Sequence, residues 1–454
     1  MDNILRNDSN EILEYALDKV MPDEAVRAVL KGRNFGNGHI YLVGVGKAAW
    51  RMTAACVDVL KAAGVEYEKG IVLTKYGHVE GPLEKVTCLE AGHPVPDENS
   101  FKGTREILKM TETLTADDTV IFLLSGGGSA IFEDPIVNGS ETVNVTNQLL
   151  AAGAEITEIN IIRKRLSKVK GGRFAQHCAP AKVVSVILSD ILGNPIDMIA
   201  SGPTCEDTST SEQAKDLNDK YSINLSSLAK AAIDVETPKF LTNVENHISG
   251  SVDELCIAAG KKAEELGYRV IYLTAALDCE AADAGKFFGA IAKTQSSLVK
   301  DKVAYIAGGE TVVHLKGTGK GGRNQEMALT AALALEGLEN VMFFSVGSDG
   351  TDGPTDAAGG IVDGETSQQL KNLGYDIEAE LANNNSYELL KAVDGLIITG
   401  PTGTNVNDVS ILLIDGRKEE LSEADSMEKN PEKRQAAWSK NLLKRENKSG
   451  WKHK

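Results

Sequence analysis

Short apolar runs and segments with apolar residues at three- and four-residue spacing alternate along most of the chain, and glycines punctuate the joints. Runs at 39–45, 70–73, 85–89, 119–124, 182–188, 269–274, 303–307, 341–346, 395–398 and 411–414 predict β-strands. Segments 10–20, 100–114 and 253–266 carry helical spacing, the last stopped by Gly267. This alternation predicts an α/β fold of parallel sheets with crossover helices.

At 454 residues the chain is too long for one compact core, and roughly two to three domains are expected. The joint is expected between Pro203 and Asp253, where 206–224 is rich in Asp, Ser, Thr and Gln and reads as a long excursion and linker with room for a helix. From Lys418 a Glu-rich then Lys-rich run lacks an aliphatic pattern and cannot bury a core of its own. The expected divisions are 1–245, 246–417 and a charged, disordered or docked tail over 418–454, with Trp438 and Trp451 as its anchors.

A formal charge of -17 argues against a nucleic-acid surface. Any anionic substrate must therefore be caught by a local cationic pocket. Cys56, Cys88, Cys178, Cys205, Cys256 and Cys279 form no C-x-x-C pair, which fits reduced thiols in a cytoplasm better than a disulfide frame or zinc site. The segment Met1-Asp-Asn-Ile-Leu-Arg-Asn-Asp8 is acidic and does not read as a signal peptide, and no apolar run approaches membrane-spanning length.

Two polar segments, Gly347-Ser-Asp-Gly-Thr-Asp-Gly-Pro-Thr-Asp356 and Thr399-Gly-Pro-Thr-Gly-Thr-Asn-Val-Asn-Asp408, follow predicted strands. They read as an active-site floor at strand carboxyl ends, where open α/β sheets bind ligands. Gly44-Val-Gly-Lys47 leaves the first strand for a helix and suits an anion, although packing glycines and a solvated lysine would read the same. Ser125-Gly-Gly-Gly-Ser129 can form a nest of amides, with both serines as extra donors. Asp190 ends the 182–188 strand, a place for a base, a metal ligand or a plain Asx-turn. In Gly317-Thr-Gly-Lys-Gly-Gly-Arg-Asn-Gln-Glu326, Lys320 and Arg323 could close over a phosphoryl group while Asn324 caps the next helix and faces the ligand. Amides, mobile cations and carboxylates on separate strand ends are together what phosphoryl transfer requires.

With Lys170-Gly-Gly-Arg173, Ala200-Ser-Gly-Pro-Thr204 and Gly322-Arg-Asn-Gln-Glu326 in the same order, the chain resembles the glycerate 2-kinases of the MOFRL type over about residues 5 to 416. The resemblance implies two α/β domains, the larger Rossmann-like with a parallel sheet and the smaller C-terminal, with the active site between them. It implies ATP-dependent phosphorylation of the 2-hydroxyl of D-glycerate, with Mg2+, in a cytoplasmic enzyme that binds neither nucleic acid nor membrane and could form a homodimer. Carried onto this sequence, Lys47, Asp190 and Arg323 are expected to be catalytic. Ser125, Gly126, Gly127, Gly128, Ser129, Arg163 and Lys164 are expected on the substrate or its phosphate, and Lys320, Asn324, Thr402, Asn405 and Asn407 on the nucleotide. Asp190, Asp349 and Asp352 are expected to hold the metal. The sequence departs from the family pattern at Arg165, where histidine is common, and at Asp278-Cys-Glu-Ala281.

An NAD(P)H-dependent hydroxypyruvate reductase, a kinase for a related hydroxy acid and a catalytically silent binding protein are the other readings. The first is weakened because Ala49 replaces the third glycine of a dinucleotide fingerprint and Thr74-Lys75 stands where an acid would end the second strand.

Overall fold

The computed structural model describes residues 3–416, so the tail expected at 418–454, with Trp438 and Trp451, lies outside the described residues. Six strands, β1 (Ile40–Val45), β2 (Lys69–Lys75), β3 (Val86–Ala91), β4 (Thr119–Leu124), β5 (Lys182–Ile187) and β6 (Val244–Ile248), form one sheet in the order 3-2-1-4-5-6, all parallel. β4 is buried along its whole length because helices cover both faces, which explains its unbroken apolar run. On one face Leu42, Ile121 and Val184 meet Val26, Met52 and Leu60 of helices Pro22–Leu30 and Ala49–Ala62. On the other, Val43 and Phe122 meet Ile107 of Glu98–Met110 and Phe174 of Arg173–Cys178. The strand order reverses between β1 and β4, so their outgoing loops part and leave a crevice.

The stretch expected to be a linker is mostly folded. Helices Ser211–Tyr221 and Ser227–Ile233 pack with Gly139–Ala151 and Ile156–Arg165 around Val145, Leu149, Ile162, Leu217 and Ile233. Its polar composition reflects outer faces that water covers. The chain then supplies β6, so the first sheet continues past the division expected at 245.

The second sheet departs from the all-parallel expectation. Strands β7 (Arg269–Leu277), β8 (Lys302–Gly309), β9 (Val341–Gly347), β10 (Gly359–Asp363), β11 (Leu396–Ile397) and β12 (Asp408–Asp415) take the order 11-10-9-12-8-7, and only β7 and β8 pair in parallel. The link from β9 to β10 contains no helix, so the chain returns antiparallel beside the strand it left. The crossover from β8 through helix Arg323–Leu335 to β9 leaves a slot that β12 fills in the opposite direction.

Helices Ala281–Gln295 and Arg323–Leu335 cover one face of this sheet. The other face is covered by Val252–Glu265 together with the first helix of the chain, Asn3–Lys19, which buries Leu5, Ile12 and Ala16 against Val409 and Ile411. The chain crosses between the two units near Val20 and again near Ser249. These crossings lie side by side, with the Ser249 hydroxyl donating to the Ala25 carbonyl at 3.1 Å.

Candidate active site

Between the two sheets lies a cleft of about 490 Å³, walled by Lys47, Lys75, Ser125, Gly126 and Asp190 from the first unit and by Asp349 and Asn405 from the second. On the first side every loop leaves the carboxyl end of a parallel strand. The loops after β1 and β4 are tied together, because the Lys47 amide donates to the Gly126 carbonyl at 2.9 Å and the Ala48 amide to Ser125 Oγ at 3.0 Å. Gly46 has φ 111 and a Cβ there would stand 2.4 Å from the Ser125 carbonyl oxygen, so both backbone shape and space require glycine. With Ala49 N–H also bonded to Gly46, the first loop offers its lysine side chain to a ligand rather than the amide nest expected of it.

The nest is the second loop. The N–H groups of Gly126, Gly127, Gly128 and Ser129 have no protein acceptor among the described residues. Gly127, at φ 85, swings them round to one side ahead of the short helix Gly128–Ile131. Neither serine hydroxyl adds to it: Ser125 Oγ holds Ala48, and Ser129 Oγ pairs with Ser201 Oγ at 3.2 Å.

Asp190 stands directly over this loop, with Oδ2 2.2 Å from where a Cβ on Gly126 would lie. Burial raises its pKa, Lys47 pulls it back, and Glu310 reaching from the second unit raises it again. The carboxylate is thus made more basic than a surface aspartate, as a proton acceptor requires.

Several expected residues lie elsewhere. Lys164 is 3 % exposed and bonded to Asp197 at 3.1 Å and Asp207 at 3.2 Å. Arg163 reaches the Ser129 carbonyl at 3.1 Å from behind the loop, so it braces the nest and does not face the cleft; burial lowers its pKa and Glu133 restores part of it. Arg165 is fully buried against Ser209 and Glu236, so the departure from histidine does not line the cleft.

On the second unit, Asp352 is 2 % exposed and accepts from the amides of Asn324 and Gln325 at 3.2 and 2.9 Å and from both their side chains. It caps helix Arg323–Leu335 from a distant loop, and its lone pairs are spent on these donors rather than offered to a metal. Asn324, expected at the cap and on the nucleotide, is buried with Oδ1 accepting from Ser345 Oγ at 2.5 Å; the cap position belongs to Gly322. Lys320 lies over the Tyr387 ring at 4.1 Å and does not line the cleft.

Arg323 forks onto Asp408 at 2.6 and 3.0 Å and reaches Glu310 at 2.8 Å. Burial works against its charge, yet the Asp408 carboxylate holds the guanidinium more firmly protonated than usual. Asp408 itself is pushed up to about 6 by burial, against the pull of Arg323. Asp349 lines the cleft with one oxygen on the Thr351 amide at 3.0 Å. Thr402 donates to the Ser348 carbonyl at 2.6 Å and accepts from Arg51 of the first unit at 3.1 Å, which ties the two walls. Asn407, in the left-handed region at φ 65, keeps a buried Nδ2 with no acceptor.

Sequence reasoning missed several residues of this neighbourhood, Arg51 and Glu80 of the lining among them. Lys75 ends β2 and His78 follows it, both lining the cleft, and His93 follows β3 against Gly127. The runs at 70–73 and 85–89 stop short of the real strand ends, which hid them. No group of three or more His, Cys, Asp or Glu side chains that could hold a metal occurs among the described residues.

Residues 8–235 match a family described as a domain of unknown function (DUF4147), and residues 303–408 match the MOFRL family. A protein from Thermotoga maritima named D-glycerate 2-kinase is 53 % identical over 409 residues, covering 89 % of this chain and 97 % of its own. A glycerate 2-kinase from Pyrococcus horikoshii is 39 % identical, covering 86 % of this chain and 91 % of its own. The crystal structure of a Thermotoga maritima glycerate kinase superposes with a TM-score of 0.87 at 52 % identity, over 90 % of this chain and 99 % of that one.

Proposed function

The chain belongs to the MOFRL family of glycerate 2-kinases, and we propose that it transfers the γ-phosphoryl group of ATP to the 2-hydroxyl of D-glycerate, releasing 2-phosphoglycerate and ADP. The observation that carries this reading is one cleft in which Lys47, Gly126 at the head of a loop with four unpaired amides, and a basic carboxylate face Asp349 and Asn405. An acid with a neighbouring hydroxyl fits the first wall. Its carboxylate takes the amides of Gly126–Ser129 and the Lys47 ammonium, and its 2-hydroxyl points to Asp190, which accepts the proton as the oxygen attacks phosphorus.

The nucleotide belongs to the second wall, where Asn405 lines the cleft and Asn407, buried outside the lining, keeps an Nδ2 with no other partner. Arg323 keeps its fork on Asp408 and can exchange Glu310 for a phosphoryl oxygen. The donor set suits Mg2+, which commonly takes one or two carboxylates plus substrate phosphates, and Asp349 and Asp190 would hold it. When bound, the ion neutralises charge on the transferring phosphoryl group. Both walls come from one chain, so a homodimer is not needed to complete the cleft. No helix among the described residues is long and apolar enough to cross a membrane, and the cytoplasm is the proposed place of work.

The test is ADP release from ATP, Mg2+ and D-glycerate, run beside NADH oxidation with hydroxypyruvate. Turnover confined to the second reaction would overturn the kinase reading in favour of a reductase.

A further inference from the structure

Among the polar side chains beside the cleft that have no task in the reaction above, one stands directly on the amide loop. His93, just beyond β3, is half-buried, and neither ring nitrogen has a protein hydrogen-bond partner among the described residues. A Cβ on Gly127 would lie 3.1 Å from its Cδ2, 3.2 Å from its Nε2 and 3.2 Å from Cγ of Lys47. The imidazole edge and the lysine stem therefore lean over one glycine, whose N–H is among the unpaired amides of the nest. Asp190 does the same over Gly126, one residue earlier. The two side chains thus address consecutive residues of one loop, whose Cα atoms are about 3.8 Å apart. A small acid seated on this loop can present one hydroxyl to each side chain.

Charge separates what the ring can recognise. Burial lowers the His93 pKa, and Lys47, Lys75 and His78 lower it further, which favours the uncharged imidazole. The negative end of the substrate already has a lysine and several amides. A neutral ring with a free nitrogen suits an uncharged hydroxyl, to which it can donate or accept.

We propose that His93 is a specificity residue that hydrogen-bonds the 3-hydroxyl of D-glycerate, so that the vicinal diol bridges Asp190 and His93 and acids lacking the second hydroxyl are rejected. The inference rests on the glycerate kinase reading and assigns the part of the substrate that reading leaves uncontacted. It also gives Gly127 a second reason to be glycine, since any side chain there would enter the space the diol needs.

The experiment compares D-glycerate with D-lactate, which keeps the carboxylate and 2-hydroxyl but ends in a methyl group, in wild type, His93→Ala and His93→Gln. The readout is kcat/KM for each acid, with the inhibition constant of D-lactate against D-glycerate used where D-lactate is not phosphorylated. Wild type is expected to favour D-glycerate by about 10- to 100-fold, the range for a lost hydrogen bond that leaves its partner unpaired. His93→Ala should lose about that factor on D-glycerate and less than about 3-fold on D-lactate. His93→Gln should recover part of the discrimination, and thermal midpoints report folding. Equal losses on both acids, an unchanged ratio in both variants, or a wild type indifferent to the 3-hydroxyl would each overturn the assignment. Absence of ADP release by wild type with D-glycerate would instead remove the kinase reading and this inference with it.

Discussion

Replacing Gly126 with alanine tests where the Asp190 carboxylate must stand. The new Cβ would meet Oδ2 at 2.2 Å and Cγ at 2.9 Å, whereas ordinary contact begins at 3.4 Å, so the carboxylate has to retreat by about 1.2 Å. Gly126 is not among the residues with positive φ, and the substitution adds no backbone strain of its own. A displacement of about 1 Å at a reacting group costs about 100-fold in rate, or about 2.7 kcal/mol of transition-state stabilisation. Initial rates of ADP release at saturating ATP and D-glycerate should fall by that factor, with the thermal midpoint lowered by no more than about 2 °C. In an Asp190→Asn background the same alanine should add less than about 3-fold, because the group it displaces is already disabled. Full losses that multiply in the double variant, or near-normal turnover in Gly126→Ala, would refute a role for Asp190 from its seat over this loop.

Lys47→Ala should lower kcat/KM by about 100- to 1,000-fold, the usual cost of removing one preorganised charge, and leave the melting curve unchanged; steady-state kinetics and calorimetry check both halves. Asp352→Ala orphans the four donors that it satisfies and should cost about 2–4 kcal/mol, read by urea unfolding. The Mg2+ requirement of the remaining activity should not move, and a raised requirement at unchanged stability would return Asp352 to the metal. Asp408 has a folded-state pKa of about 6 against an ordinary 3.8. Its contribution to stability is therefore fully present below pH 3.8 and lost as pH rises through about 6. Relative to Asp408→Asn, wild type should lose up to about 3 kcal/mol between pH 4 and pH 7, and an equal difference at both pH values would contradict the assignment.

Much of the framework was legible because buried parallel strands announce themselves. The runs before Lys47, Ser125 and Asp190 are apolar on both faces, and polar residues just beyond such runs must gather at one edge of the sheet. β6 and β10 escaped notice for opposite reasons. Val244–Ile248 is a half-exposed edge rich in polar residues, while Gly359–Asp363 opens with two glycines beneath other chain segments.

The misplaced residues share a physical cause. Lys164, Asn324 and Asp352 sit inside polar motifs, yet each is consumed by a partner distant in sequence: Asp207 for Lys164, and Asp352 for Asn324. A local pattern shows that a charge is present but not whether a counter-charge arrives from elsewhere to neutralise it. His93 was hidden twice over, since the run at 85–89 ends before the strand does and a lone histidine beyond it carries no pattern of its own.

The first helix has its partners at the far end of the polypeptide. Leu5, Ile12, Ala16 and Val20 are made before Val252, Leu255, Val409 and Ile411, on which they rest and which follow more than two hundred positions later. At about 5–20 residues per second, a ribosome needs at least about ten seconds to supply them. During that interval the nascent chain carries an oily stripe with nothing to shelter it, beside a first sheet that can already assemble. Chaperone demand in the cell should therefore centre on this helix.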